Sequence, residues 1–134
     1  MDAFERLHPG VQYHLANTLR WNGLRPTQAQ AVGPILAGQD TLVLAPTAGG
    51  KTEAATFPLL SRMASEDWQG VSVLYICPLR ALLNNLQPRI HGYAQWLGRS
   101  AAVWHGDVGQ SQRQRILADR PDFLLTTPES LEAM

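Results

Sequence analysis

TLVLAPTAGGKT, residues 41–52, is the stretch that decides the fold of this 134-residue chain. Its first five residues, Thr41–Ala45, are apolar and β-branched at two places, which predicts a short buried strand. From Ala45 onward it matches the pattern G-x-x-x-x-G-K-[ST] of a phosphate-binding loop, with alanine in place of the first glycine. A helix from about Thr52 to Ala64 is expected to follow, kinked at Pro58 because proline lacks a backbone donor. Strand, glycine turn and helix N-terminus together predict a phosphate site.

Each residue type in this loop suits a phosphate ligand. Glycine lets the backbone turn its N–H groups inward, and the helix N-terminus adds a partial positive charge. Lys51, the only lysine beside ten arginines, is predicted to bind the β and γ phosphates, and the Thr52 hydroxyl to bind Mg²⁺. These two are also the predicted catalytic residues. The predicted nucleotide-binding residues of the loop are Pro46, Thr47, Ala48, Gly49, Gly50, Lys51 and Thr52.

Other interpretations of the loop are open at this point. A glycine-rich turn before an ordinary helix would have to combine all three features by coincidence. A small-molecule kinase and a nucleic-acid motor both fit the residues of the loop. Small kinases usually open with the loop, whereas some 40 residues precede it here.

The composition limits the partners that the chain can have. Eleven basic and eleven acidic residues give a formal net charge of zero, so a site for a polyanion has to be local. The single cysteine, Cys77, can form neither an intrachain disulfide nor a zinc cluster, which fits a reducing compartment. The longest strongly apolar stretch, Val71–Cys77, is far shorter than the ~18 residues of a membrane-spanning helix. We therefore expect a cytoplasmic protein with no membrane partner.

Helical segments are predicted before the loop, over residues 1–38. Leucine and valine recur every four residues from residue 7 to residue 19, a helical period that the sequence HPG interrupts at residues 8–10. Thr27 and Gln30 have the spacing of a capping box, which predicts the start of a second helix.

Strand and helix patterns alternate after the loop, over residues 41–134. Further strands are predicted at Val71–Ile76, Ala101–Trp104 and Phe123–Thr126. Between them, apolar residues step by three or four from Leu79 to Leu97, and a Ser-x-x-Gln box opens a short helix over Ser111–Leu117. Such alternation predicts an α/β fold, a parallel sheet flanked by helices, with ligands at the carboxyl ends of the strands.

The last residues predict the start of another helix. Thr127 is expected to be the N-cap, Pro128 the first helical residue and Glu129 an acid of the first turn. This helix is cut off after barely two turns. We therefore expect the chain to be the front part of a longer domain.

Five segments, in this order, resemble motifs of superfamily 2 helicases of the DEAD/DEAH-box type. GLRPTQAQ at residues 23–30 resembles the Q motif, and the phosphate loop follows it. The later segments are CPLRAL at residues 77–82, similar to motif Ia, HGD at residues 105–107, and TTPESL at residues 126–131, similar to motif Ib. The combination is most similar to the large helicase-related (Lhr) type. The resemblance thus implies the N-terminal part of a first RecA-like domain, an incomplete P-loop NTPase fold, over residues 1–134.

The resemblance implies an ATP-dependent helicase, a hydrolase that uses ATP and Mg²⁺. It makes Gln30 the reader of adenine, for which a carboxamide has both a donor and an acceptor. Capping the second helix is the other role open to Gln30. Contacts to nucleic acid, made through arginine and helix N-termini, are implied for Arg80, His105, Gly106, Thr127 and Pro128. A solvated surface position is the alternative for Arg80, and local hydrogen bonding is the alternative for His105.

The Lhr type further implies DNA rather than RNA as the nucleic acid, 3′ to 5′ movement and a second RecA-like domain as partner. No apolar run ends in Asp-Glu, so the Walker B pair is absent and we expect this chain alone to be inactive. A non-catalytic nucleotide-binding module is the first alternative function. A small-molecule P-loop kinase is the second, and the Q-like segment argues against it. The four scattered tryptophans favour packing over base stacking.

Overall fold

A computed structural model describes residues 1–45 and 50–134 of the chain. The structure divides into two compact units, Met1–Trp68 and Gln69–Met134. The organisation predicted from the sequence, with segments 1–38 and 41–134, stays a prediction. None of the helices in the two described ranges is both long and apolar enough to cross a membrane.

In its described part, the first unit consists of helices. They are α1 (Ala3–Arg6), α2 (Pro9–Asn17), α3 (Pro26–Leu36) and α4 (Lys51–Ser65). The predicted interruption is confirmed, because His8 is the N-cap of α2 and its Nδ1 accepts from Gly10 N–H at 3.0 Å. The four-residue apolar period faces the core, where Leu7, Val11 and Leu15 are at most 2% exposed. Pro58 lies inside α4, as predicted.

The predicted strand over Thr41–Ala45 is wrong. These residues form no strand, and Leu42 and Leu44 are 83% and 81% exposed. A strand exists only through hydrogen bonds to a neighbouring strand, and no segment of the described residues pairs with this one. The apolar pattern indicates that the segment can be buried in a sheet, but it does not show whether a neighbouring strand is present to pair with it.

The predicted capping box of α3 is also wrong. The helix begins one residue before Thr27, and Gln28 rather than Gln30 makes the box contact, with Arg25 N–H donating to Gln28 Oε1 at 3.0 Å. Pro26 at the first helical position decides this start. Its fixed φ is already helical, and the N–H that it lacks has no partner in a first turn.

The start of α6 differs from the prediction as well. The helix begins at Gln110 after Gly109, with no side-chain cap, so the predicted box opening at Ser111 is not formed. Glycine is a tolerated N-cap because it leaves the first amides open to solvent.

The second unit is a parallel sheet with helices between its strands. In chain order it contains β1 (Val73–Ile76), α5 (Arg80–Gln95), β2 (Ala101–Trp104), α6 (Gln110–Asp119), β3 (Phe123–Thr126) and α7 (Pro128–Ala133). The strand order is β1-β3-β2, and Ile76, Thr126 and Trp104 lie side by side at the carboxyl edge. The central strand β3 is buried along its whole length. The predicted α/β fold with a parallel sheet is confirmed, and β2 and β3 have their predicted bounds.

Side chains of α5 cover part of the outer edge of β2. Gln87 Nε2 donates to Ala101 O at 2.8 Å, and Ala101 N–H donates to His91 Nδ1 at 3.0 Å. The backbone donor and acceptor of this edge residue are therefore satisfied without another strand. At the opposite edge, β1 leaves Leu74 and Ile76 each 48% exposed.

Candidate functional site

The described end of the phosphate loop has the geometry of an open helix N-terminus. Gly50 is the N-cap of α4 and adopts the left-handed conformation, with φ of 70°, which favours glycine. Lys51 and Thr52 are the first two residues of the helix, and Lys51 is exposed. Glycine has no side chain to cap the helix, and a helix start of this kind presents backbone amides that suit an anionic ligand. The predicted residues Pro46, Thr47, Ala48 and Gly49 lie outside the described residues.

The two glutamines of the Q-like segment have different environments on α3. Gln30 is exposed, which leaves its carboxamide available to a base. Gln28 is only 2% exposed, and its Nε2 donates to Gly50 O at 3.4 Å. Gln28 therefore joins the Q-like segment to the start of α4. Sequence reasoning missed it, although placing Pro26 at the first helical position puts a glutamine at the third, the site of a capping-box partner.

The second unit gathers the predicted nucleic-acid residues at the carboxyl edge of its sheet. The three strands end in register, so the segments that follow them begin side by side. Cys77 N–H continues the ladder by donating to Thr126 O at 3.0 Å. The segments after β1, β2 and β3 carry Arg80, the pair His105 and Gly106, and the pair Thr127 and Pro128 respectively. The fold thus brings all five to one edge.

Arg80 is the accessible cation of this edge. Its Nη1 lies 2.9 Å from Asp107 Oδ1, and the two side chains are 52% and 68% exposed. The guanidinium lies against Gly106, where an added Cβ would be 2.6 Å from Arg80 Nη2. A side chain at position 106 would require the Arg80 guanidinium to move. Asp107 belongs to the HGD segment, and the sequence predicted no role for it.

His105 is held by local hydrogen bonds. Its ring is 2% exposed, Nε2 lies 2.9 Å from Asn84 Oδ1, and Nδ1 accepts from Asp107 N–H at 3.1 Å. An acceptor role for Nδ1 places the proton on Nε2, where it is donated to Asn84. The ring fixes the loop that carries Asp107 to α5, and a contact of His105 with nucleic acid stays a prediction.

Thr127 forms the cap that its sequence predicted. Its hydroxyl oxygen accepts from Ser130 N–H at 3.2 Å and lies 3.0 Å from Ser130 Oγ, and the residue is 2% exposed. Pro128, the first residue of α7, is exposed. The Thr127 hydroxyl is therefore engaged within the protein, and its predicted contact with nucleic acid would use other atoms of this helix start.

The tryptophans pack at the boundary of the core, as predicted. Trp21 meets Phe57 edge-on with ring centroids 5.6 Å apart, and the Arg113 guanidinium lies 5.4 Å from the Trp104 ring.

Trp68 has the Arg62 guanidinium 4.9 Å from its ring, and Arg62 Nε donates to a Glu66 carboxylate oxygen at 2.7 Å. This hydrogen bond lowers the pKa of Glu66 and raises that of Arg62.

The sequence pattern of the DEAD/DEAH box helicase family matches residues 25–134, which include both groups of residues described above. This chain belongs to the DEAD/DEAH box helicase family. The family predicted from the five motifs is therefore confirmed.

Curated relatives of this DEAD/DEAH box chain include an Lhr helicase and a DEAD-box RNA helicase. It is 40% identical over 124 residues to the Lhr helicase/probable uracil glycosylase of Mycolicibacterium smegmatis, with 81% of this chain and 8% of that protein covered. It is 35% identical over 128 residues to DEAD-box ATP-dependent RNA helicase 36 of Arabidopsis thaliana, with 93% and 26% covered. The chain thus spans about a quarter or less of these two proteins.

Solved structures of DEAD/DEAH box helicases confirm the RecA-like fold. The structure of Mycobacterium smegmatis helicase Lhr bound to ssDNA and AMP-PNP gives a TM-score of 0.81 at 35% identity, covering 98% of this chain and 18% of that one. The DEAD-box helicase Mss116 bound to ssRNA and UDP-BeF gives 0.81 at 22% identity, covering 95% and 27%. The likeness to Mss116 is one of fold alone.

Proposed function

We propose that this chain is the ATP-binding and strand-contacting part of an ATP-dependent DNA helicase or translocase that moves 3′ to 5′. The observation that carries the proposal is the open start of α4, where Gly50 with φ of 70° leads directly into Lys51 and Thr52. A nucleic-acid role is supported by Arg80 at the carboxyl edge of the sheet in the second unit. The cytoplasmic location that we propose rests on the single cysteine.

The residues at the start of α4 suit a nucleoside triphosphate with Mg²⁺. Lys51 would supply a mobile positive charge, and the first amides of α4 would donate to phosphate oxygens. The Thr52 hydroxyl would be one oxygen ligand of the metal. Within the described residues, no group of three His, Cys, Asp or Glu is placed to hold a metal. Phosphate oxygens and water would therefore complete the coordination, which is how proteins commonly hold Mg²⁺.

Base selection in this proposal belongs to Gln30. Its exposed carboxamide can donate to one atom of the adenine edge and accept from another, a pattern that the guanine edge does not match. Gln30 is released from the capping role that the sequence left open, because Gln28 performs it.

The strand-contacting residues would bind phosphates rather than bases. Arg80 offers a guanidinium at the first residue of α5, whose first turn has no acidic residue and no side-chain cap from Leu79. Backbone amides at such a helix start add a partial positive charge in the same direction. DNA is proposed over RNA because the relative with 40% identity is named Lhr, and the Lhr structure is described as bound to ssDNA.

Direct binding tests this proposal. The 134-residue chain is titrated with a fluorescent ATP analogue in the presence of Mg²⁺, and with labelled dT and rU 20-mers. We expect saturable ATP binding and tighter binding of dT than of rU. Equal binding of the two oligonucleotides would contradict the DNA preference, and no ATP binding would contradict the proposal as a whole.

Lys51→Ala identifies the site. Loss of a charge-assisted hydrogen bond worth ~1.5 to 3 kcal/mol should weaken ATP binding roughly ten- to a hundredfold. Arg20→Gly is the matched control, since it removes an exposed cation of the same unit at a position whose φ of 58° glycine adopts freely. ATP affinity that is unchanged in Lys51→Ala, or reduced equally in the control, would remove Lys51 from the site.

A further inference from the structure

Gln28 is a buried polar side chain to which the proposed reaction assigns no role. It lies on α3, two residues before Gln30, and is 2% exposed. Burying a carboxamide is unfavourable unless its donor and acceptor atoms find partners. Both ends of this one are engaged, and the two partners belong to different helix starts.

The oxygen of Gln28 serves α3 and its nitrogen serves α4. Oε1 accepts from Arg25 N–H at 3.0 Å, which caps the first turn of α3. Nε2 donates to Gly50 O at 3.4 Å. The same carbonyl accepts from Ala54 N–H at 3.0 Å, the first hydrogen bond of α4. One side chain therefore links the first turns of the two helices.

Gly50 has the shape that this link requires. A Cβ added at Gly50 would collide with Gln28 Nε2, so a side chain at this position would displace the carboxamide from its present place. Its φ of 70° independently favours glycine. The contact between Gln28 and the N-cap of α4 therefore depends on the side chain of Gln28 and on the absence of a side chain at Gly50.

Gln28 and Gln30 project from different sides of α3. Two residues correspond to a rotation of about 200° around a helix with 3.6 residues per turn. Gln28 accordingly faces the interior while Gln30 is exposed. The position of the Gln30 carboxamide relative to Lys51 depends on how α3 packs against α4. Gln28 forms a hydrogen bond between the starts of these two helices.

We propose that Gln28 is a positioning residue that aligns the base-reading Gln30 with the phosphate-binding start of α4. The proposal rests on the function proposed above for Gln30 and Lys51. In a nucleotide the base and the phosphates are joined by a short linker, so the ligand gains affinity from two subsites only when their separation lies within its reach. Gln28 sets that separation and thereby turns two weak subsites into one site for ATP.

A comparison of ATP with tripolyphosphate tests this role, because tripolyphosphate occupies the phosphate subsite alone. The first variant is Gln28→Met, which has a similar length and no carboxamide. We expect ATP affinity to fall about tenfold, as for loss of one well-placed hydrogen bond. Tripolyphosphate affinity should stay within about twofold of the original value, and the preference for ATP over GTP should fall in parallel with the ATP affinity.

Two further variants complete the experiment. Gln28→Glu keeps an oxygen for Arg25 N–H and replaces the donor to Gly50 by a charged acceptor. It is the alternative variant if Gln28→Met does not fold. Its added charge repels both ligands, and the ratio of their affinities isolates the alignment effect. Gln39→Met is the matched control, since Gln39 is exposed in the same unit, and it should leave both affinities unchanged.

The possible results separate the two proposals. An equal loss for ATP and tripolyphosphate would reduce Gln28 to local support of the loop and overturn the alignment role. Unchanged ATP affinity in a folded variant would overturn it too, as would an original chain that binds ATP no more tightly than tripolyphosphate. A chain that binds neither ligand would overturn the proposed function itself.

Discussion

Replacing Arg80 by alanine should lower the salt dependence of single-strand binding by one phosphate contact. The guanidinium is half-exposed and its partner Asp107 is more exposed still, so a strand phosphate can reach Arg80 and replace the carboxylate. With a formal net charge of zero, the chain has no general field to bind a polyanion. Local contacts of this kind therefore carry the binding.

The magnitude follows from counterion release. Each phosphate contact on a single strand contributes about −0.7 to the slope of log affinity against log salt, so three contacts give about −2. Raising the salt from ~50 to ~200 mM should then weaken the original chain roughly 18-fold. Arg80→Ala, with two contacts left, should lose only about sevenfold over the same range.

Fluorescence anisotropy with a labelled dT 20-mer, read at three salt concentrations, measures both slopes. Arg120→Gly is the matched control. Arg120 is exposed and precedes β3, at the amino end of the strands, and its φ of 50° suits glycine. Asp107→Asn removes the carboxylate that competes with phosphate and should tighten binding at every salt concentration. An unchanged slope in Arg80→Ala, or an equal change in Arg120→Gly, would refute the reasoning and leave Arg80 as a solvated surface residue.

Three other outcomes are expected. Gln30→Ala should narrow the difference between ATP and GTP affinity without lowering the melting temperature, because Gln28 and not Gln30 caps α3. A lower melting temperature with an equal loss of affinity for both nucleotides would contradict a role of Gln30 in base recognition. His105→Ala should lower the free energy of unfolding in urea by about 2 kcal/mol, since it leaves Asn84 and the Asp107 amide without their buried partner. An unchanged urea midpoint would contradict the structural role of His105. The chain alone should release no phosphate from ATP. The Lhr resemblance implies that an arginine finger, worth ~10³ to 10⁵ in rate, would come from a second RecA-like domain. Turnover stimulated by single-stranded DNA would show that residues of this chain supply that role.

Local sequence chemistry predicted the parts of this fold that depend on nearest neighbours. The bounds of β2 and β3, the interruption before α2 and the Thr127 cap all follow from patterns within a few residues of one another. The segment Thr41–Ala45 has an equally clear apolar pattern and forms no strand. The difference is the partner, because a ladder needs a second strand whose position a local pattern does not contain.

The candidate sites divide in the same way. The alternation of strands and helices predicted a parallel sheet with ligands at the carboxyl ends of its strands, which is the edge where Arg80, His105 and Thr127 lie. It did not predict the ion pair of Arg80 with Asp107, which joins residues far apart in sequence. The buried link from Gln28 to Gly50 was missed for the same reason. Contacts between distant residues depend on how helices pack, and the sequence motifs carry no measure of that.

The two edges of the sheet in the second unit differ in whether they can take up another strand. On the β2 side, Gln87 and His91 already occupy the backbone groups of Ala101, so an arriving strand would have to displace two hydrogen bonds. On the β1 side, Leu74 and Ile76 are half-exposed, and pairing there would bury apolar surface. A further strand would therefore add more readily beside β1 than beside the Ala101 end of β2, and self-association of the unit is expected to begin at β1.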